Sequence, residues 1–221
     1  HDFQQGEILV ATDCNHSALF QMTNANPGNS TNLVNNAAGA SAPGNCTTGL
    51  GESAPNSGLP SCTPTGVPYT FAAGSRLLRL SGNIYYIRNN PNGIPSLYRL
   101  RLGTAGGNAS ATAEELVEGV ENMQITYGVD TSSPATCAQT DGTVDAYVDA
   151  ADVPATVPCA TAVEDWKKVL SVRIRLLMRS EDSIVSTPQS YFFDDPVNAT
   201  TATDNRLRQV FTTTIAVRNR L

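Results

Sequence analysis

The chain has 221 residues, of which 40% are hydrophobic and only 15% charged, against about 25% charged in an average soluble domain. Its net charge of −6 and the scatter of its 14 basic residues argue against a nucleic-acid binder, which needs a concentrated basic surface. The longest apolar run, at residues 8–11, is far shorter than the roughly 20 residues of a spanning helix. The abundance of Ser, Thr, Asn, Ala and Gly favours an exported, loop-rich β protein, predicted as one domain over residues 1–221.

Alternation of apolar and polar side chains is the strongest local signal, and it predicts antiparallel strands with one wet face. In chain order the predicted strands cover residues 7–12, 18–23, 76–80, 83–88, 98–102, 123–129, 170–178 and 211–217. We expect the strands at 123–129 and 170–178 to be long and central, with their apolar faces in the core. Ser81, Gly82 and Asn83 predict a hairpin turn between their flanking strands.

One short helix is predicted, at residues 112–120. Thr112 and Glu115 have the spacing of a capping box, and Leu116, Val117 and Val120 lie on one helical face. We expect this helix to pack on the mostly antiparallel sheet. The predicted fold class is therefore α+β.

Residues 24–68 are rich in Asn, Gly, Ser, Thr and Pro and show no periodicity. Loops of this length are uncommon unless they are functional or mobile. The segment has too few apolar residues to fold by itself, so we expect a long loop excursion of the domain. The sequence predicts that a disulfide pins this loop.

Five cysteines occur without a C-x-x-C pair or a histidine at ligand spacing, so a zinc site is disfavoured. They are Cys14, Cys46, Cys62, Cys137 and Cys159. Most of them lie in turn-rich sequence, which favours disulfides and an oxidising compartment. Cys46–Cys62 is the first predicted bridge, inside the long loop, and Cys137–Cys159 is the second.

Two clusters could carry chemistry. Asp13, Cys14 and His16 place a carboxylate, a thiol and an imidazole close together, but we interpret them as a disulfide cysteine beside a surface histidine. Asp141, Asp145 and Asp149 form an acidic segment that could bind Ca²⁺, although the EF-hand spacing is not matched. Solvated turn carboxylates are the alternative for the second cluster. Neither pattern predicts an enzyme.

Several spaced motifs carry a resemblance to a known family. Residues 115–130 read ELVEGVENMQITYGVD, and related stretches follow at residues 141–149, 166–180 and 204–221. Together with residues 6–23, they resemble the PilW family of type IV pilus minor pilins. The resemblance covers most of the chain outside residues 24–68.

This resemblance implies a pilin-like or pseudopilin-like globular head whose long hydrophobic N-terminal helix is absent from this chain. It also implies a place in the inner membrane facing the periplasm before assembly, and at the extracellular pilus tip afterwards. The implied partners are other minor pilins, the major pilin and a large tip adhesin. No catalytic residue and no cofactor is implied, and Cys14 is expected to pair with a cysteine upstream of His1.

Three alternatives stay open at this stage. A J-type pseudopilin of type II secretion shares part of the resemblance. A secreted carbohydrate-binding or adhesive module would use exposed aromatic side chains, taken from Tyr69, Phe71, Tyr85, Phe192 and Phe193. A Ca²⁺-dependent hydrolase would use the three aspartates of the acidic segment.

Overall fold

The computed structural model describes residues 3–24, 41–51, 65–132, 141–156, 162–193 and 197–217, with the backbone alone for residues 162–164. The chain divides into two compact units. Unit 1 comprises His1–Tyr85 and Arg99–Glu114, and unit 2 comprises Tyr86–Tyr98 and Glu115–Leu221. None of the helices within the described ranges combines the length and the apolar character that crossing a membrane requires.

Unit 1 contains a three-stranded antiparallel sheet with the strand order β2-β1-β3. Its strands are β1 (Ile8–Thr12), β2 (Ser17–Gln21) and β3 (Arg76–Arg79). Leu9 lies opposite Phe20, and both are buried in one cluster with Ala11 and Met22. Because side chains alternate between the faces of a strand, these residues place the core on one side of the sheet.

A second three-stranded sheet has the order β4-β5-β6. Its strands are β4 (Asn83–Asn89), β5 (Pro95–Ala105) and β6 (Asn108–Glu118). Each of these strands has one part in unit 1 and the other part in unit 2. Gly106 and Gly107 join β5 to β6 with φ angles of +56° and +78°. Two successive left-handed residues are what a tight hairpin turn requires, and glycine adopts that conformation without steric cost.

Unit 2 is built on a four-stranded antiparallel sheet in the order β12-β9-β7-β8. Its elements are β7 (Val120–Val129), β8 (Ala146–Val148), α1 (Val153–Thr156), α2 (Ala162–Lys167), β9 (Val169–Ser183), β10 (Ser190–Tyr191), β11 (Thr200–Thr201) and β12 (Arg206–Ala216). Val129, Val153 and Val169 form a buried cluster at one end of this sheet. The predicted long strands at residues 123–129 and 170–178 are confirmed as β7 and β9.

The predicted helix at residues 112–120 is wrong, and so is the α+β class. These residues form the end of β6 and the start of β7, and the described helices have only four and six residues. The capping-box pattern favours a helix locally. The turn at Gly106 and Gly107, however, directs the chain back so that β6 runs alongside β5. There Glu114 pairs with Arg99 at 2.6 Å. Pairing with a neighbouring strand thus overrides helix propensity.

The expected hairpin at residues 81–83 is also wrong, because β3 pairs with β1 whereas β4 pairs with β5. The long loop falls partly outside the described residues, which exclude 25–40 and 52–64. Its described parts are non-helical, and their backbones are joined by two hydrogen bonds of 2.9 Å, from Gly49 N to Thr65 O and from Gly51 N to Val67 O. The side-chain amide of Gln21 also anchors the loop, since it donates to Ala42 O and accepts from Gly44 N, both at 2.7 Å.

Candidate interaction surface

The four-stranded sheet of unit 2 carries a broad apolar face. Directly opposed residues of paired strands share a face, so the strand register defines three rows across β12, β9 and β7. The rows are Phe211–Leu176–Met123, Thr213–Ile174–Ile125 and Ile215–Val172–Tyr127. We call these nine residues the apolar sheet face.

Much of the apolar sheet face is open to solvent. Phe211 and Ile215 are each 54% exposed, and Ile125 is 38% exposed. Trp166 extends the face at one end, since its ring packs edge-on against Tyr127 with a centroid distance of 4.9 Å and is itself 40% exposed. A contiguous exposed apolar patch on a folded protein is typical of an interaction site.

The opposite face of the same sheet carries the arginines, and it is covered where Arg173 and Arg175 lie on β9. Arg175 donates hydrogen bonds to the carbonyl oxygens of Phe193 at 2.6 Å and Phe192 at 3.0 Å, and the Phe193 side chain is only 1% exposed. The Arg173 guanidinium lies 3.3 Å from the centroid of the Tyr147 ring. The expectation of a wet arginine face is therefore wrong at these two positions of β9, whereas Thr212 and Thr214 of β12, on the same face, are exposed. Backbone carbonyls and aromatic rings satisfy the guanidinium groups, so this polar face can be covered.

Unit 1 has a smaller surface of the same kind. On the outer side of its sheet, Val10 of β1 lies between Leu19 of β2 and Leu78 of β3. Leu19 is 62% exposed and Leu78 is 50% exposed. β1 is thus apolar on both faces, a pattern typical of a strand that is buried on both sides.

An ion-pair network ties the start of β12 to the start of β7. The buried Arg208 guanidinium donates from Nε to Glu121 Oε2 at 2.8 Å and from Nη2 to Glu121 Oε1 at 3.0 Å. Arg208 Nη1 also donates to Asp204 Oδ1 at 2.6 Å. This hydrogen bond lowers the pKa of Asp204 to about 2, and the two carboxylates raise the pKa of Arg208. The network holds one edge of the apolar sheet face in place.

Gly119 explains why the motif ELVEGVEN needs glycine at its centre. Its φ angle is +79°, and a Cβ atom there would lie 2.7 Å from the carbonyl oxygen of Arg179. Arg179 N donates to Gly119 O at 2.8 Å, so β9 approaches the backbone closely at this point. Glu115 and Glu118 of the same motif accept hydrogen bonds from the side chain of Asn90 at 3.0 and 3.1 Å.

The Asp13–His16 cluster forms a packed turn. Cys14 is an exposed free thiol, and the His16 ring stacks on Tyr69 at a centroid distance of 4.2 Å. Burial opposes ionisation of Asp13, but hydrogen bonds from the Ala72 N–H, the Tyr69 hydroxyl and the turn's own N–H groups outweigh it and lower its pKa to about 2. The carboxylate therefore organises the turn, and its hydrogen-bond donors do not include the Cys14 thiol or the His16 ring.

Two of the three aspartates considered for calcium, Asp141 and Asp145, have separate hydrogen-bond partners. Asp145 Oδ2 accepts from Thr131 N at 2.8 Å, and Asp141 Oδ1 accepts from Thr143 N at 2.8 Å. In the described part of the chain, no group of three or more His, Cys, Asp or Glu side chains is arranged to hold a metal ion. The nearby Asp130 is buried, which opposes its ionisation, but hydrogen bonds from Ser132 and Gly142 lower its pKa. Sequence reasoning gave Asp130 no structural role, although it holds this segment together.

The aromatic residues considered for an adhesive module differ in their surroundings. In unit 1, Tyr69 and Phe71 pack edge-on with a centroid distance of 4.9 Å, and Tyr85 is 48% exposed. In unit 2, Phe192 is exposed whereas Phe193 is buried. Phe193 is therefore a core residue of its unit.

Cys46 is disulfide-bonded, and its bonding partner lies outside the described residues. Cys62, Cys137 and Cys159 also lie outside them. The predicted pairs Cys46–Cys62 and Cys137–Cys159 and the pairing of Cys14 with an upstream cysteine stay predictions.

Comparison with known protein families gives a match. A family model described as PilW, Type IV Pilus-assembly protein W, matches residues 84–219. The matched stretch is more than half of the chain and contains Gly119, the Arg208 network and every residue of the apolar sheet face. No curated protein and no solved structure matches the chain significantly.

Proposed function

Because the chain belongs to the PilW family of type IV pilus-assembly proteins, we propose that it is a minor pilin that primes pilus assembly and sits in a tip complex with other minor pilins. The resemblance stated from residues 115–130 is confirmed by the family match. The proposed partners are the other minor pilins, the major pilin and a large tip adhesin. The observation that carries this proposal is the apolar sheet face, which offers a contact surface within the matched stretch.

The proposed activity is binding through contacts and involves no catalysis. Assembly requires surfaces that exclude water, and a few apolar anchors dominate the free energy of such contacts. Phe211 and Ile215 are half exposed, so covering them would contribute on the order of 1 kcal/mol each.

The proposed location follows from this role. Before assembly the globular part would face the periplasm beside the inner membrane, and after assembly it would lie at the extracellular pilus tip. The turn-rich cysteines and the disulfide at Cys46 support an oxidising compartment.

Complementation of a deletion strain tests the proposal. Deleting the gene should reduce piliation, and the wild-type gene should restore it. Ile125→Glu puts a charge in the middle row of the apolar sheet face and should fail to restore piliation. Ile184→Glu makes the same change at a 62% exposed site after β9 and should restore it. Melting temperatures of the purified variants control for unfolding. Normal piliation in the deletion strain, or equal complementation by two folded variants, would refute the proposal.

A further inference from the structure

β12 forms one end of the four-stranded sheet, and no described segment pairs with its outer side. Val217 N donates to Leu170 O of β9, so the odd-numbered residues of β12 turn their backbone groups toward β9. Both backbone groups of a residue in an antiparallel strand point to the same side. The N–H and C=O groups of Val210, Thr212, Thr214 and Ala216 therefore point outward.

Among the even-numbered residues 208–216 of β12, the outer edge is occupied at Arg208 and, through a long hydrogen bond of 3.4 Å from Gln209 Nε2 to Val210 O, at one carbonyl of Val210. The Gln189 side chain accepts from Arg208 N at 2.8 Å and donates to Arg208 O at 3.0 Å, as a neighbouring strand would. From Gln209 onward the edge lacks the usual protection. Residues 209–217 contain no charged residue and no proline, and residues 211–217 are all exposed. Soluble proteins generally block such an edge, because it is a template for another strand.

The edge is complementary to itself. We propose that the outer edge of β12 pairs antiparallel with the same edge of a second copy of this chain, about a two-fold axis at Thr213. In this register the outward groups of Thr212 meet those of Thr214 of the partner subunit, and Val210 meets Ala216 of the partner subunit. Phe211 then lies opposite Ile215 of the partner subunit on the apolar sheet face.

Charge and side-chain shape favour a second copy of this chain as the partner of the β12 edge. Within residues 209–217 the pairing brings no like charges together. It places threonine beside threonine and an aromatic ring beside a β-branched side chain, which are stabilising cross-strand pairs. A two-fold axis requires one surface to complement itself, and the order Phe-Thr-Thr-Thr-Ile is nearly symmetric about Thr213. The proposal does not depend on the role in pilus assembly.

Disulfide trapping in the purified chain tests the register. Residues facing each other across such an axis have Cα atoms about 4.5 Å apart, within the range that a disulfide spans. In a Cys14→Ser background, Thr213→Cys should form a covalent dimer under mild oxidation. Thr212→Cys is the matched control. It should form at least about tenfold less covalent dimer, because position 212 of one subunit lies diagonally across the pairing from position 212 of the other.

Light scattering of the purified chain tests the association itself. The wild type should show a concentration-dependent dimer, and Thr213→Lys, which sets two ammonium groups opposite each other, should raise its dissociation constant at least about tenfold. Thr70→Lys adds the same charge at an exposed threonine of unit 1 and should leave the dimer unchanged. A wild type that is monomeric at all concentrations, equal trapping by both cysteine variants, or a dimer insensitive to Thr213→Lys would overturn the proposal. Piliation is scored separately, so the two proposals can fail independently.

Discussion

Arg208 and Glu121 lie 87 positions apart in the chain and meet through two hydrogen bonds of 2.8 and 3.0 Å. The Arg208 side chain is 5% exposed and that of Glu121 is 27% exposed. A planar guanidinium matches both oxygens of a carboxylate at once, which lysine cannot do. This pair fastens the start of β12 to the motif that begins β7.

Replacing Arg208 should therefore destabilise unit 2. Removing one partner of a buried ion pair leaves the other without its hydrogen bonds, and we expect Arg208→Ala to cost about 3 kcal/mol of unfolding free energy. Chemical denaturation measures this loss. Arg99→Ala breaks the more exposed pair with Glu114 and should cost much less. Similar losses in the two variants would contradict a special role for the buried pair.

Acid should weaken the Arg208 network. The pKa of Asp204 is lowered from 3.8 to about 2 by its hydrogen bond from Arg208. Since its folded-state pKa is depressed, Asp204 contributes stability above pH 3.8, and this contribution is lost as the pH falls toward 2. Unfolding free energies measured between pH 5 and pH 2 should fall less steeply for Asp204→Asn than for the wild type. Parallel pH profiles would show that the carboxylate has no such role.

Gly119 should tolerate no side chain. Gly119→Ala would place a Cβ atom 2.7 Å from Arg179 O in a left-handed backbone conformation, and we expect a loss of about 3 kcal/mol or more. Gly142 has the same φ of +79°, but a Cβ atom there would meet no other atom within 4 Å. Gly142→Ala should therefore cost only about 1 kcal/mol. Thermal unfolding of both variants separates the close contact from the backbone strain.

Calcium should bind weakly or not at all at Asp141, Asp145 and Asp149. Asp141 and Asp145 already accept hydrogen bonds from backbone N–H groups. Binding to the native state must raise its stability, so the melting temperature should not change when millimolar Ca²⁺ replaces a chelator. A rise that Asp145→Asn abolishes would establish a site and would contradict this expectation.

Peptide mapping under non-reducing conditions should find Cys46 linked to Cys62. This bridge would close the loop between Cys46 and Cys62. Closing a loop of that length stabilises a protein by roughly 3 kcal/mol on the chain-entropy model. The same map should find Cys137 linked to Cys159, and Cys14 of this chain should react with an alkylating reagent because its thiol is free and exposed. A Cys46 peptide linked to Cys137 or Cys159 would contradict the predicted pairing.

The positions of most strands and the family of the chain could be predicted from the amino-acid sequence. Alternation at residues 123–129 and 170–178 reports directly on side chains that point to opposite faces, and it identified β7 and β9. The motif around Gly119 carried the family resemblance because a close backbone contact there admits glycine alone. Both signals come from residues that are close together in the chain, so the amino-acid sequence alone is enough to read them.

The remaining features depend on contacts between segments that are distant in the chain. Residues 112–118 have a helical pattern but form a strand, because β5 offers them a partner. Alternation shows that a strand has two unlike faces, but which face is covered depends on other segments, such as Phe193 over Arg175. The pairing of Arg208 with Glu121 has no signal in spacing, since it exists only once β12 and β7 lie on either side of β9.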